Sequence, residues 1–166
     1  MPHPRIFLQL PSMMNSLTEP LQQHHKHCDD LFADAEAAAA AADWTRCQSV
    51  LHCFREEIET HFRTEEEVLF PAFEAATGMS LGPTQMMRLE HAQMRELLTQ
   101  MQAAQTARNS DDFAGAAETL LVLMQQHNMK EENILYPMCD RSLTGQAATL
   151  GPQLQERLES ACQAMH

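Results

Sequence analysis

The chain has 166 residues, a 44% hydrophobic composition and a formal net charge of −12. That length suits one domain with a sizeable core, and the acidic balance excludes nucleic acid as a partner, because phosphate binding needs clustered Lys and Arg. Five glycines, one of them before residue 80, few β-branched runs and abundant Met and Ala point to an all-α protein.

The opening MPHPRIFLQLPSMMNS has one Arg and a short apolar run cut off by Pro11, poor material for a signal peptide. Residues 1–16 read as a disordered extension, or as sequence upstream of a start at Met13 or Met14. Pro20 sits just inside a start signal from Ser16 or Thr18, so a first helix is expected from about 18 to 42. Asp43 can cap a second from Trp44 to about Phe70, with Pro71 near its end. After the breaker TGMSLGPT, Pro83 opens a third helix reaching about Ala107. Ser110-Asp111-Asp112 caps a fourth ending near Tyr136, and Leu150, Leu154, Leu158 and Ala161 outline a short fifth. Four long helices with short connections predict an antiparallel up-down four-helix bundle over 17–140, followed by a C-terminal helical extension over 141–166.

No apolar run approaches the roughly 20 residues a bilayer span needs, so no membrane role is expected. Cys28, Cys47, Cys53, Cys139 and Cys162 are odd in number and form no CxxC pair, which argues against a disulfide framework or a thiolate zinc site and fits a reducing cytoplasm.

The bundle seam carries the unusual chemistry. Alternating steps of three and four give Leu21, His25, Cys28, Phe32, Ala35 and Ala39 on the first helix. The second gives Leu51, Phe54, Ile58, His61, Glu65 and Val68; the third gives Met87, His91, Met94, Leu98 and Met101. The fourth gives Leu120, Met124, His127, Glu131 and Ile134. Each helix thus turns one histidine inward, and two add a glutamate one turn later.

The segments HFRTEEEVLFP and HNMKEENILYP are copies of one pattern. His91 follows His25 by 66 residues, His127 follows His61 by 66, and Glu131 follows Glu65 by 66. The same offset pairs Glu66 with Glu132, Phe70 with Tyr136 and Pro71 with Pro137. It also selects His25 from HHKHCDD, because His24 aligns with Glu90 and His27 with Gln93. His24, His27 and His52 fall off the seam and read as surface residues.

Buried imidazoles and carboxylates are costly unless paired, hydrogen-bonded or bound to metal. Four His and two Glu suit a pair of metals, each taking two His, with Glu65 and Glu131 as bridges. Iron is favoured over manganese and zinc, since a carboxylate-bridged pair inside a bundle suits redox and O₂ chemistry. The ferritin-like alternative rests on Glu-x-x-His, which occurs nowhere in this chain.

The order His, His-x3-Glu, His, His-x3-Glu, with a leucine-aromatic-proline close, resembles the hemerythrin-like (HHE cation-binding) family over roughly residues 18 to 140. The resemblance implies that His25, His61, Glu65, His91, His127 and Glu131 hold two iron ions in a non-haem di-iron centre. It implies a small diatomic ligand, O₂ or NO, or a role in iron handling, with a protein partner or a second copy to carry any signal. The alternative is a di-iron enzyme reducing O₂, peroxide or NO. Oxygen-carrying hemerythrins have a second His one turn after the third-helix His, where this chain has Arg95, and an Asp five residues after the fourth-helix His, where Glu131 comes at four. The departure argues against reversible oxygen carriage.

Several neighbours invite comparison with the six. Asp29 follows His25 by four, but its repeat mate is Arg95, so an Asp29–Arg95 ion pair competes with a ligand role. Glu66 and Glu132 read as partners of the ligands or as surface charges. Cys28 and the stripe Met87, Met94, Met101 and Met124 read as core, and Tyr136 as a ring packed with Phe70, with radical chemistry near the site as the alternative.

Overall fold

A computed structural model describes residues 16–159 and Cys162. The extension expected over 1–16 therefore lies, apart from Ser16, outside the described residues, as does Ala161. The described chain is all-helical, with no strand among its residues.

Helix α1 spans Glu19–Ala40, with Pro20 in its first turn. Helix α2 spans Trp44–Thr64, and the Asp43 carboxylate caps it by accepting from the Arg46 N–H at 3.2 Å. It continues through a π turn at Glu65–Leu69 into α3, Phe70–Thr77, which ends on Gly78 at φ 74°. Helix α4 spans Pro83–Ala107 and α5 spans Ser110–Lys130. A second π turn at Glu131–Leu135 leads into α6, Tyr136–Ser142, and a short 3-10 turn precedes α7, Ala147–Leu158.

The 66-residue repeat extends to the connections. Ala42 and Arg108 both adopt left-handed backbone, at φ 56° and 53°. The next residues, Asp43 and Asn109, both cap the following helix. The α5 cap is thus Asn109, accepting from the Asp112 N–H at 3.0 Å, rather than the expected Ser110-Asp111-Asp112.

Both prolines lie inside continuous rods, so the second and fourth helices run past their expected ends. A proline has no N–H and its ring crowds the carbonyl four residues back. Here the helix widens just before it: the Phe70 N–H reaches Glu65 O and the Tyr136 N–H reaches Glu131 O. The extra residue advances the register by one, and Leu69 and Leu135 are buried. Ile134, expected on the seam, is consequently 56% exposed.

Helix α1 packs on α2 and α4 on α5, while α1 also meets α5 and α2 meets α4. Helix α7 lies across α1 and α2, and its Arg157 donates to Glu67 at 2.7 Å. Thr18 donates through both its backbone N–H and its hydroxyl to Asp140, closing the start of α1 onto α6. Two apolar clusters fill the interior, one containing Phe32, Phe54, Phe62 and Met94, the other Leu21, Leu69, Phe70 and Tyr136. On each of the four rods the inward histidine falls between members of the two clusters, so a polar layer is sandwiched between apolar ones. Among the described residues no helix is long and apolar enough to cross a membrane.

Candidate metal centre

The six seam residues meet in that layer. His25, His61, His91 and His127 come from α1, α2, α4 and α5, and all are buried. Glu65 and Glu131 open the two π turns and have no exposed surface. Glu131 Oε1 lies 3.1 Å from both His25 Nε2 and His127 Nε2. Glu65 Oε1 lies 3.2 Å from His91 Nε2 and 3.4 Å from His61 Nε2. Each carboxylate therefore touches one imidazole from each half of the repeat. Donor atoms of Glu65, His91, His127 and Glu131 lie within 4.8 Å of one another, and so do those of His25, His61 and Glu131.

These contacts do not satisfy the groups. Glu65 Oε1, Glu131 Oε2, His91 Nε2 and His127 Nε2 are buried without a hydrogen-bond partner. Each such group costs about 1–3 kcal/mol if nothing fills the space it faces. A cation relieves all four together, and mixed imidazole and carboxylate donors suit iron, manganese or zinc. The residues fit a metal.

The outward nitrogens are equally informative. His91 Nδ1 lies 2.9 Å from Glu66 Oε2 and His25 Nδ1 lies 3.2 Å from Glu132 Oε1. These are the partners expected from the sequence, related by the repeat. His127 Nδ1 lies 2.9 Å from Glu90 Oε1, and Lys130 donates to the other Glu90 oxygen. His61 Nδ1 lies 2.9 Å from His24 Nδ1, whose Nε2 lies 2.8 Å from Glu57 Oε2. All four rings point Nε2 inward and anchor Nδ1 outward, the arrangement that orients metal-binding imidazoles.

His24 corrects the sequence reading. It is buried, not on the surface, and it serves His61 as Glu90 serves His127. The alignment of His24 with Glu90 that set it aside as a ligand was the signal for this supporting role. Glu57, also buried, and Glu90 were missed, because a polar residue one step off the seam looks like helix surface. His27 is half-buried with Nε2 4.0 Å from Glu57, and His52 is exposed as expected.

The expected Asp29–Arg95 pair does not form. Arg95 donates to both oxygens of Glu59 and both of Glu66 at 2.8–3.1 Å, and its guanidinium lies 5.3 Å from the Phe62 ring centre. Asp29 is exposed and belongs to neither donor cluster. The four stripe methionines and Cys28 are buried in the core, the Cys28 sulfur 3.7 Å from His24 Nδ1.

Tyr136 is more than packing. Its hydroxyl donates to Glu65 Oε2 at 2.8 Å and lies 3.3 and 3.4 Å from His25 Nε2 and His61 Nε2. The ring stacks on His25 at 5.7 Å, as its repeat mate Phe70 stacks on His91 at 5.9 Å.

Without a cation, protons compensate the charges. Burial raises the Glu65 carboxyl and the adjacent Glu131 charge raises it further, to about 8. Burial alone depresses the His25 and His91 imidazoles, but their carboxylate partners outweigh it and hold them near 10 and 9. Burial, then the charges of His25 and His24, holds His61 well below its ordinary value. Burial opposes ionisation of Glu66, yet hydrogen bonds from His91 and Arg95 bring it down to about 2. A divalent ion replaces such protons, since a metal ligand must be deprotonated.

A family model, the hemerythrin HHE cation binding domain, matches residues 16–139. No curated protein and no solved structure matches the chain significantly. With its His and Glu residues gathered into a cluster able to hold metal, and the match spanning most of its length, the chain belongs to the hemerythrin HHE cation-binding family.

Proposed function

We propose that His25, His61, His91, His127, Glu65 and Glu131 hold two iron ions, and that the centre binds or senses O₂ or NO. Each ion would draw on two imidazoles, with Glu65 and Glu131 available to both. The observation that carries this reading is the inward aim of all four Nε2 atoms, with His91 Nε2, His127 Nε2 and one oxygen of each carboxylate buried without a partner and every Nδ1 anchored behind. The same reading takes the four long rods as an antiparallel up-and-down bundle, supported by the short connections at Ala41–Asp43 and Arg108–Asn109.

The space beside the site favours a very small ligand over a large one. A void of about 10 Å³ lies beside His25 and His61, bordered by Ile58, Phe62 and two methionines and also by Asp29 and Asn128. That is close to the room of a single water. An organic substrate does not fit. When bound, iron would supply an exchangeable position and a redox couple; the chain supplies a small void, the fixed imidazoles and a buried phenol. That phenol is the observation favouring the second reading, an enzyme reducing O₂, peroxide or NO, because Tyr136 presents an O–H beside two candidate ligands. Spectra of anaerobic iron-loaded protein before and after addition of O₂ or NO test the proposal. A change at one equivalent per centre is expected, and indifference to both gases would rule the diatomic role out.

A further inference from the structure

The two halves of the centre are copies, and two of their differences touch the inward histidines. Where His127 leans on the Glu90 carboxylate, His61 leans on the ring of His24. Where Phe70 stacks on His91, Tyr136 stacks on His25. We propose that the His25–His61 position holds its cation more weakly than the His91–His127 position, and that His24 with Glu57 is the positioning pair responsible. This rests on the two-ion reading above.

The tautomers follow from the hydrogen bonds. With Nε2 turned to a cation, His61 keeps its proton on Nδ1, so His24 Nδ1 must accept it. His24 then carries its own proton on Nε2 and donates it to Glu57 Oε2 at 2.8 Å. The ring behind His61 is therefore neutral, and the negative charge stands one imidazole further away. On the other half the carboxylates of Glu90 and Glu66 face the imidazole N–H directly and are fixed by Lys130 and Arg95. An imidazole is a stronger donor when its N–H faces a carboxylate held in place. His25 also has a carboxylate behind it, Glu132, but its side chain is 36% exposed and its contact is longer, 3.2 Å.

The donor count runs the same way. Four residues cluster around the His91–His127 position and three around His25–His61. Glu65 reaches this second position less closely: its Oε1 lies 3.4 Å from His61 Nε2 against 3.2 Å from His91 Nε2, and its Oε2 accepts from Tyr136. The void that borders His25 and His61 places the weaker position beside the space for a ligand.

The test is a titration of metal-free full-length protein with Co²⁺, followed by calorimetry and by visible absorption. Two steps are expected, the second at least about tenfold weaker, the usual scale of outer-partner effects. Glu57→Gln should weaken the second step alone and widen the gap, whereas Glu90→Gln should weaken the first and narrow it. Glu132→Gln, at a half-exposed site, reads the second step without altering the core. A general loss of packing weakens both steps together. Two Co²⁺ bound with equal affinity, or Glu57→Gln acting on the first step, overturns this inference and leaves the two-ion reading standing. No Co²⁺ bound at all overturns both.

Discussion

Arg95 and Glu66 form a bidentate pair, with both Glu66 oxygens within 3.0 Å of the guanidinium, and the same carboxylate holds His91 Nδ1 at 2.9 Å. Arg95 therefore acts on His91 from behind, through Glu66, and offers no nitrogen donor to the centre. Four imidazoles therefore face the centre, from His25, His61, His91 and His127.

The first expectation concerns oxygen. Fewer nitrogen donors leave more of the coordination to water and carboxylate, which favours the ferric state, so ferrous iron should be oxidised while O₂ is reduced. Anaerobic ferrous-loaded protein mixed with O₂ should change its spectrum within seconds to minutes and keep the new spectrum on degassing. Return of the starting spectrum under vacuum would mark a reversible carrier and refute this account of Arg95.

The carboxylates should separate by register. On the two-ion reading, Glu65→Ala or Glu131→Ala removes a group that both ions would share and should abolish paired binding. Glu66→Ala removes only the brace behind His91, so two ions should still bind at saturation, with affinity reduced roughly 10–100-fold. Equal loss of metal from Glu65→Ala and Glu66→Ala would place the register one residue off.

Metal should stabilise the fold, because binding relieves groups buried without partners in the native state alone. At a free metal concentration of about 100 times Kd, the gain is about 2.7 kcal/mol, or roughly 5–10 °C in Tm for a domain of this size. A melting curve indifferent to chelation would show that the histidines are merely packed.

The connections give a control remote from the centre. Ala42 has φ 56°, a strained value for a residue with Cβ. Ala42→Gly should raise stability by about 1 kcal/mol, and Asn109→Ala should lower it by about 1 kcal/mol through loss of the α5 cap. Neither should change metal stoichiometry, which calorimetric melts and metal analysis can check side by side.

The gathering of one polar layer in the core was legible because the pattern is periodic twice over. The three-and-four seam picked out His25, His61, Glu65, His91, His127 and Glu131, and the 66-residue offset chose His25 over His24. The seam failed at Ile134, because a π turn before Pro137 adds a residue that no fixed period anticipates. Glu90 and Glu57 escaped notice for a different reason. They lie beside the seam and reach inward only because a histidine nitrogen needs a partner there. The Tyr136 hydroxyl differs from Phe70 by one atom, and only three-dimensional placement shows that the atom lands on Glu65.

The central claim, that these six residues hold a pair of iron ions, is tested most directly by elemental analysis of freshly purified protein beside its Glu65→Ala/Glu131→Ala variant. The account predicts two irons per chain in the parent and loss of the pair in the variant. A single zinc per chain, or no transition metal in the parent, would contradict it.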